Sequence, residues 1–513
     1  MMWLLLTLLI FIGAVGAYNF HLYSHFCQHT YDLGIFLEAF KKLSFADWNP
    51  YISTRQITIL QDHWEPILVL LSPLARFFSL PGFGFGVEIA FFILAGLSLY
   101  LSARDQSSQK RDLAICLAIL FLLHRETFEA VFYPIHPSTW AVFPLMLAGL
   151  FIPTLMPNQL GKHVSLQKEP FYTQFVRLLA IVILLNLFNE QYSLAALGLV
   201  LGAFLFLPRR LPTLLVLPFS LAFVWWAFQG RSSIVGQMFH HTDRLKLNPL
   251  LLLQSYNWDL PQFKTLLLFF LGFAPLIFFL IKSIPHWNRN HLRHFGVWLG
   301  LFSPLILGRL LSGSFGLHYN VILVVAAIVL FFLLIDVKEW PKKSIASWIF
   351  AFAILMSLGK WGKVYATVIQ DKMPNCMRID TSSGNHFTNV SNRQKKLNHI
   401  YDLISLESGP TKVLALGNLV PTLLSIPHAE VFHLGAFQIT NSESFDWLVV
   451  ERGVYGNHNG VPPEKLEALI KNLKFRPELQ IISDDATLFV VKGSLPKSLF
   501  RGFFYDQRYN PVE

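Results

Sequence analysis

Long apolar runs recur along the first three quarters of the sequence, and they constrain the fold more than any other feature. Most runs are about 20 residues long, which lets a helix cross a hydrocarbon core of about 30 Å. Only 14% of the residues are charged, whereas about a quarter are charged in ordinary soluble domains. The sequence therefore predicts a polytopic α-helical membrane protein.

About eleven transmembrane helices are expected. The first apolar run, MWLLLTLLIFIGAVGAY, has no basic residue before it and ends in small residues, so a cleaved signal peptide is an alternative to a membrane anchor. The other spans are predicted at 83–102, 112–124, 138–156, 177–189, 191–207, 211–229, 264–282, 295–311, 319–336 and 345–366.

Lysine and arginine residues fall in alternate loops between these spans. Short loops rich in Lys and Arg stay in the cytoplasm, so the pattern predicts a multi-pass protein of the cytoplasmic (inner) membrane with a cytoplasmic N-terminus. The formal charge of +10 is scattered through loops and forms no basic stripe, so nucleic acid is not an expected partner. The basic residues that set this orientation are Arg104, Lys110, Arg111, Lys162, Lys168, Arg209, Arg210, Lys282, Arg289, Arg293, Lys338, Lys342 and Lys343.

The opposite, extracytoplasmic face receives most of the unusual polar residues. The long first loop, 19–82, carries YDLGIF and QDHWEP, and later loops carry YPIHPSTW, NEQY, FHHTDR and GLHYN. A protein with function spread evenly over both faces would not sort its polar residues in this way. We therefore expect the functional site on this face.

The composition changes near residue 371, where polar and charged residues replace the apolar runs. Short strand-like stretches (KVLALG, AEVFHLG, FDWLVVERG, LQIISDD and ATLFVVKG) are separated by helical candidates. We predict two domains: a transmembrane domain over 1–370 and a small extracytoplasmic α/β domain over 371–513. The single glycine of VLALGNLVP is far short of a dinucleotide-binding fingerprint.

Two acidic residues are candidates for chemistry. Asp32 is set among aromatic and aliphatic neighbours, where partial desolvation would raise its pKa towards that of a useful base, although a water-facing Asp on an interfacial helix explains the pattern too. Glu190 lies between two apolar runs, where a carboxylate is costly unless it is solvated or paired. A tight hairpin tip in the headgroup region is the alternative for Glu190.

QDHWEP precedes an apolar segment that begins with Pro66. Helix capping is sufficient to explain Asp62 and Glu65, because acidic residues suit a helix N-terminus. His63 has no such explanation, and it is a candidate phosphate or metal contact.

The remaining candidates are basic or aromatic and lie in the later loops. They are potential partners of a substrate phosphate, although ordinary loop charges would look identical. FHHTDR has metal-ligand residue types but no fixed geometry. Cys27, Cys116 and Cys376 show no paired metal spacing, and nothing in the sequence requires Cys27 to pair with Cys376. The candidate substrate-binding or phosphate-binding residues are His136, Arg231, Arg309, His318 and Tyr319.

The order of the motifs resembles the membrane family called domain of unknown function 2079. The resemblance runs from YDLGIF through DHWEPILVLLSPL, IHPSTWAVFPLMLAG, an acidic triplet and HYNVILVVAAIVL to a tail of the form VLALGNLVPTLLS…FDWLVVERG. Members of that family commonly carry a polar pair such as Asp-Gln after GIF, where this chain has Leu37 and Glu38. They also carry a Lys-Glu-Asp type of triplet. Here the triplet is Asn189, Glu190 and Gln191, so its acid is kept and its lysine is absent.

That family is in turn similar to the GT-C glycosyltransferases, which take sugars from polyprenyl-phosphate carriers. The resemblance implies that Asp32, at the position of their first-loop acid, accepts the proton of the acceptor hydroxyl or ligates a metal. It implies that His63, His136 or Arg309 stabilises the departing lipid phosphate. Glu190 would position the acceptor or hold a divalent cation such as Mg or Mn, with Asp32 and Asp62 as further potential ligands.

The partners implied by this resemblance are a lipid-linked sugar donor and membrane lipids. The first loop, with LGIFLEAF and ADWNPYI, would lie flat on the membrane as interfacial helices. Two other classes of function stay open: a lipid or solute transporter, and a non-catalytic envelope assembly protein. A transporter should carry ionisable residues or Gly/Pro breaks within its spans, and most predicted spans are clean apart from Pro275 and Pro304.

Overall fold

The structure is a computed structural model of the full chain. The residues it describes are 2–26, 31–44, 46–54, 57–62, 64–133, 135–155, 171–207, 210–227, 267–311, 318–335, 343–370, 389–434, 444–452, 463–485 and 488–500.

Helices dominate the region before residue 370. Their order follows the chain, and we number them α1 to α16: Met2–Ser24, Tyr31–Lys42, Ile59–Asp62, Ile67–Ala75, Leu80–Ala103, Ser108–Leu123, Arg125–Phe132, Pro137–Trp140, Val142–Phe151, Phe171–Leu185, Glu190–Phe206, Leu211–Trp225, Ala274–Ser283, Arg289–Leu311, Val321–Leu334 and Lys343–Val364.

Each apolar segment predicted from the sequence contains helix. Among the described residues, three stretches are long and apolar enough to cross a membrane: Met2–Ser24, Leu80–Ala103 and Pro137–Thr154. The shorter apolar helices are Phe171–Leu185, Glu190–Phe206, Leu211–Trp225, Ala274–His286 and Val321–Leu334. The helices α1 and α5 present large apolar side chains to the exterior, as expected where the surrounding solvent is lipid.

Helix α1 continues past the predicted end of the first span, from Tyr18 to Ser24. The reason is burial of its polar last turns against α7. The Tyr18 ring lies 4.2 Å from the Phe132 ring, and Asn19 donates its side-chain amide to the carbonyl of Val131 at 2.7 Å. A stretch that looks like a polar loop is therefore helical because tertiary partners satisfy its polar groups.

Helices α11 and α14 pack backbone against backbone. A Cβ added at Gly198 would lie 2.1 Å from the carbonyl oxygen of Gly300, and one added at Gly300 would lie 2.3 Å from that of Gly198. Gly202, four residues after Gly198, faces the same contact. Small residues at such spacing allow membrane helices to approach closely.

The first loop folds between the helical bundle and the C-terminal region. Residues 33–40 of α2 are all buried, so α2 is enclosed on both sides and does not lie open on a membrane surface as expected. A short antiparallel hairpin follows, with Tyr51–Ile52 (β1) paired to Ile57–Thr58 (β2). Of the two stretches expected to lie on the membrane, the described residues of LGIFLEAF are buried, whereas Trp48 of ADWNPYI is exposed.

The C-terminal region contains a five-stranded sheet, and each of the five strand-like stretches contains one strand. The strands β3 to β7 are Thr411–Ala415, Ala429–His433, Ser444–Glu451, Gln480–Asp484 and Leu488–Pro496, and the helices α17 to α19 are Asn389–Ser405, Val420–Leu423 and Pro463–Lys474. The parallel neighbours are β4, β3 and β5, while β7 runs antiparallel between β5 and β6, in the order β4-β3-β5-β7-β6.

The sheet region is docked on the first loop. A Cβ at Gly34 of α2 would meet Val420 of α18 at 2.8 Å, which explains the glycine of the YDLGIF motif. Lys41 donates to the carbonyls of Leu424, Ile426 and Ala429 at 2.9–3.4 Å, and burial lowers the pKa of Lys41. One buried apolar cluster runs from α1 through α2 into the sheet.

A buried ion pair anchors the same docking surface. The Arg393 guanidinium contacts the Glu451 carboxylate through Nε at 2.5 Å and through a second nitrogen at 2.9 Å. It also donates to the carbonyls of His25 and Phe26 at 2.8 and 3.1 Å, directly after α1. The sheet and the end of the first membrane helix therefore share one hydrogen-bonded group.

Candidate functional site

Two of the polar motifs meet at the start of α11. The Glu190 carboxylate accepts a hydrogen bond from the backbone N–H of Trp64 at 3.2 Å, and the Trp64 indole donates to the carbonyl of Asn186 at 3.1 Å. The N–H of Ile67 donates to Leu187 at 2.8 Å. The DHWEP and NEQY motifs, which lie far apart in the sequence, therefore form one surface, and the predicted candidate Glu190 lies in it.

His136 and Tyr319, predicted separately, form a second pair. The Tyr319 hydroxyl lies 3.1 Å from His136 Nε2, and the Ser138 hydroxyl contacts His136 Nδ1. His136 is buried. A neutral imidazole has one donor and one acceptor nitrogen, and hydroxyl groups can match either tautomer. Both ring nitrogens of His136 are thus engaged by protein groups.

Tyr192 connects the two pairs. It is fully buried, its hydroxyl donates to the carbonyl of Ser138, and it lies close enough to Tyr319 and Glu65 for electrostatic interaction. Glu65 itself is buried and directly precedes Pro66, the N-cap residue of α4. The capping explanation for Glu65 stays a prediction, and its side chain lies inside the protein near the Tyr192 hydroxyl.

Arg309 extends this group of residues towards α7. We call the group the cluster, and its members so far are Trp64, Glu65, His136, Glu190, Tyr192 and Tyr319. Its guanidinium carbon lies 5.2 Å from the centre of the Tyr319 ring, and its Nε donates to the Asn320 side-chain oxygen at 3.3 Å. Asn320 in turn donates to the Glu126 carboxylate at 3.2 Å. A cation, an amide and a carboxylate therefore line one side of the His136–Tyr319 pair.

Glu126 is a site residue that the sequence reasoning missed. Burial raises the pKa of Glu126, and the nearby Arg125, the Asn320 hydrogen bond, Lys360 and Arg309 oppose that rise. Arg125 is a 3.9 Å ion-pair partner of Glu126, and Lys360 of α16 pairs with Glu129 one turn later. The missed signal was HRETFEA, three charged residues directly after an apolar run.

Helix α2 reaches the cluster through Phe36. Its ring lies 5.6 Å from that of His136 in an edge-on arrangement. Asp32 belongs to the first turn of α2, so its backbone lies one helical turn before Phe36. The side chains of Asp32, Asp62 and His318 lie outside the described part of the structure, as do the whole of His63, Arg231 and the FHHTDR motif.

Glu88 is a second residue missed by the sequence reasoning. It lies within α5, in a segment predicted as a clean span, and it is fully buried. A single carboxylate inside an apolar run is itself a signal of function. Glu88 accepts a hydrogen bond from the backbone N–H of Ile135, the residue before His136, at 2.9 Å.

A divalent cation finds no complete ligand set in the part of the chain that is described. No three His, Cys, Asp or Glu side chains come together there at metal-binding spacing, and His136 has both nitrogens engaged. Ligation by Asp32, Asp62 and Glu190 stays a prediction, since only the Glu190 side chain is described.

Comparison with protein families identifies the chain. The family described as "Predicted membrane protein (DUF2079)" matches residues 22–481. The chain belongs to this family. The DUF2079 match spans both the helical bundle and most of the C-terminal sheet, and it includes each motif that contributes to the cluster. No curated protein is significantly similar to the chain.

Proposed function

We propose that this DUF2079 protein is a membrane glycosyltransferase of the GT-C type, which moves a sugar from a polyprenyl-phosphate donor to an extracytoplasmic acceptor. The observation that carries the proposal is the meeting of five sequence motifs at one end of the bundle. YDLGIF contributes Phe36, DHWEP contributes Trp64 and Glu65, YPIHPSTW contributes His136, NEQY contributes Glu190 and Tyr192, and GLHYN contributes Tyr319.

The chemistry of the cluster suits transfer from an anionic carrier. The acceptor oxygen would bond to the anomeric carbon while the bond to the lipid phosphate breaks, with inversion at that carbon. The acceptor proton would pass to the carboxylate of Asp32. The negative charge left on the phosphate needs fixed donors. Arg309 and Tyr319 are neighbouring groups that offer N–H and O–H donors, and His136 contacts the Tyr319 hydroxyl and would orient it.

The topology forms part of the proposal. Eleven spans with a cytoplasmic N-terminus would place the cluster, the docked sheet and residues 371–513 on the extracytoplasmic side of the inner membrane. The basic residues in alternate loops support this orientation. Lys110, in one of the basic loops, contacts the carbonyl of Phe332 at the end of α15, so two loop ends predicted as cytoplasmic lie together.

The test is mass spectrometry of envelope glycolipids and glycans from a strain that lacks the gene. Complementation with the wild type should restore a missing sugar, whereas Asp32→Asn at equal expression should leave the carrier lipid unconsumed. Asp47→Asn is the matched control, because Asp47 is an exposed acid of the same loop. Full restoration by Asp32→Asn would remove Asp32 from the reaction, and an unchanged glycan profile on deletion would reject the transferase.

A transporter of a lipid or solute is the second candidate. Glu88 favours it, because a buried carboxyl within a membrane helix is typical of transport pathways. The two candidates differ in what accumulates on deletion. A transferase defect leaves the carrier lipid with its sugar attached on the side where transfer occurs, whereas a transport defect leaves the substrate on the side from which it should be moved.

A further inference from the structure

Glu88 is held in an unusual environment. It is fully buried within α5, and one carboxylate oxygen accepts the Ile135 N–H at 2.9 Å. The Thr139 side chain lies near Glu88, and its hydroxyl donates to the carbonyl of His136 at 2.8 Å. The other oxygen, Oε1, has no hydrogen-bond partner among the described residues. A buried carboxylate that is only partly satisfied contributes less to stability than a well-packed apolar residue, so stability alone is a poor reason for an acid here.

The backbone of Ile135, whose N–H donates to Glu88, is strained. Ile135 has φ +54°, a left-handed conformation that is strongly disfavoured for a β-branched residue. Gly84, one turn before Glu88 on α5, leaves the space for this loop, because a Cβ there would lie 2.0 Å from Ile135 Cδ1. Strained backbone of this kind persists only when its surroundings hold it, and it concentrates at functional sites.

The strain sets the direction of the next residue. His136 follows Ile135 directly, and its ring reaches Tyr319, Ser138 and the Phe36 ring of α2. We propose that Glu88 is a positioning residue: together with Gly84, it holds Ile135 in the left-handed conformation and thereby aims His136 at Tyr319. The part of this inference that assigns His136 to a reaction rests on the proposed function, whereas the part about loop geometry does not.

The loop geometry is tested by hydrogen–deuterium exchange of the purified full-length protein, read on peptides that cover Tyr133 to Trp140. Pro134 and Pro137 have no amide hydrogen, so between them only the Ile135 and His136 amides exchange. Glu88→Leu removes the acceptor and should increase exchange at Ile135 by tenfold or more. Glu88→Gln keeps a carbonyl oxygen and should exchange like the wild type. Unchanged protection of Ile135 in Glu88→Leu would overturn the proposal.

Gly84→Ala provides a second variant, which keeps the carboxylate and disturbs the Ile135 side chain instead of its N–H. It should also increase exchange at Ile135, while peptides of α11 stay at wild-type protection. Loss of protection throughout the bundle in both Glu88→Leu and Gly84→Ala, with no separate effect on Ile135, would contradict a positioning role. Since exchange requires no substrate, failure of the glycosyltransferase proposal would leave this result standing.

The functional part is tested separately, by complementation with the same variants. If His136 acts in the reaction, Glu88→Gln should restore the glycan and Glu88→Leu should not. A Glu88→Leu variant that loses protection at Ile135 and still restores the glycan would overturn the link to function while leaving the loop geometry intact.

Discussion

Glu38 is a buried carboxylate whose hydrogen bonds have a structural role. It accepts hydrogen bonds from the backbone N–H and hydroxyl groups of Ser53 and Thr54, and Lys42 pairs with it at 2.5 Å. Its oxygens are thus occupied by protein donors, which ties α2 to the hairpin that follows it. The family departure noted at Leu37 and Glu38 therefore has a structural role, which sequence alone could not reveal because the donors come from 15 or 16 residues away.

We expect Glu38→Gln to destabilise the protein by about 3 kcal/mol, because the exchange breaks a buried ion pair and leaves donors without an acceptor. Glu407→Gln is the control. Glu407 pairs with Lys492 at the surface, with both side chains partly exposed, so its loss should cost less than about 1 kcal/mol. Thermal unfolding in detergent measures both variants. Equal melting temperatures for the two would show that the Glu38 network carries no stability.

At the scale of elements, the sequence predicts which segments are helical, but it does not predict what each helix packs against. An apolar run of about 20 residues identifies a helix from its own residues. By contrast, the helical end of α1 depends on α7, and the burial of α2 on both sides depends on a sheet formed some 380 residues later. Sorting of polar motifs to one face predicted that they share a region. It could not predict that His136 meets Tyr319, because that contact requires the packed bundle.

The contact between α11 and α14 gives a prediction with a matched control on one helix. Gly300→Ala should destabilise the protein by about 1 to 3 kcal/mol, because a Cβ there collides with the backbone of α11. Gly308→Ala, on the same helix, has nothing within 4 Å of the added Cβ, and it should be neutral or stabilising by up to about 1 kcal/mol. The melting temperatures of the two variants test this prediction. If Gly308→Ala unfolds at a lower temperature than Gly300→Ala, α11 and α14 are not in backbone contact.

At the scale of the whole molecule, Arg393 couples the sheet to the end of α1. Arg393→Lys keeps the charge but cannot contact both carboxylate oxygens of Glu451 and two backbone carbonyls together. We expect a fall of several degrees in melting temperature and faster proteolysis of the first loop. Lys396→Ala is the control, because Lys396, on the same helix, forms a partly exposed pair with Asp485 among the described residues. Equal proteolysis rates for the two variants would indicate that the ion pair does not hold the sheet in place.

The packing of the first loop on the sheet restricts which parts of the protein can lie on opposite sides of the membrane. The Ser53 hydroxyl oxygen, which donates its hydrogen to Glu38, lies 3.1 Å from the carbonyl oxygen of Val431, so the first loop and the sheet must lie on the same side of the membrane whichever way the protein is inserted. In a variant without native cysteines, Asp47→Cys and Glu478→Cys, both at exposed positions, should react with an impermeant maleimide in cells whose inner membrane is intact. Asp105→Cys, exposed in a loop predicted as cytoplasmic, should react only after that membrane is permeabilised. If positions 47 and 478 react on opposite sides, the docking of the sheet on the first loop is wrong. If both react only after permeabilisation, the docking is correct and the cluster faces the cytoplasm. That result would exclude an extracytoplasmic acceptor.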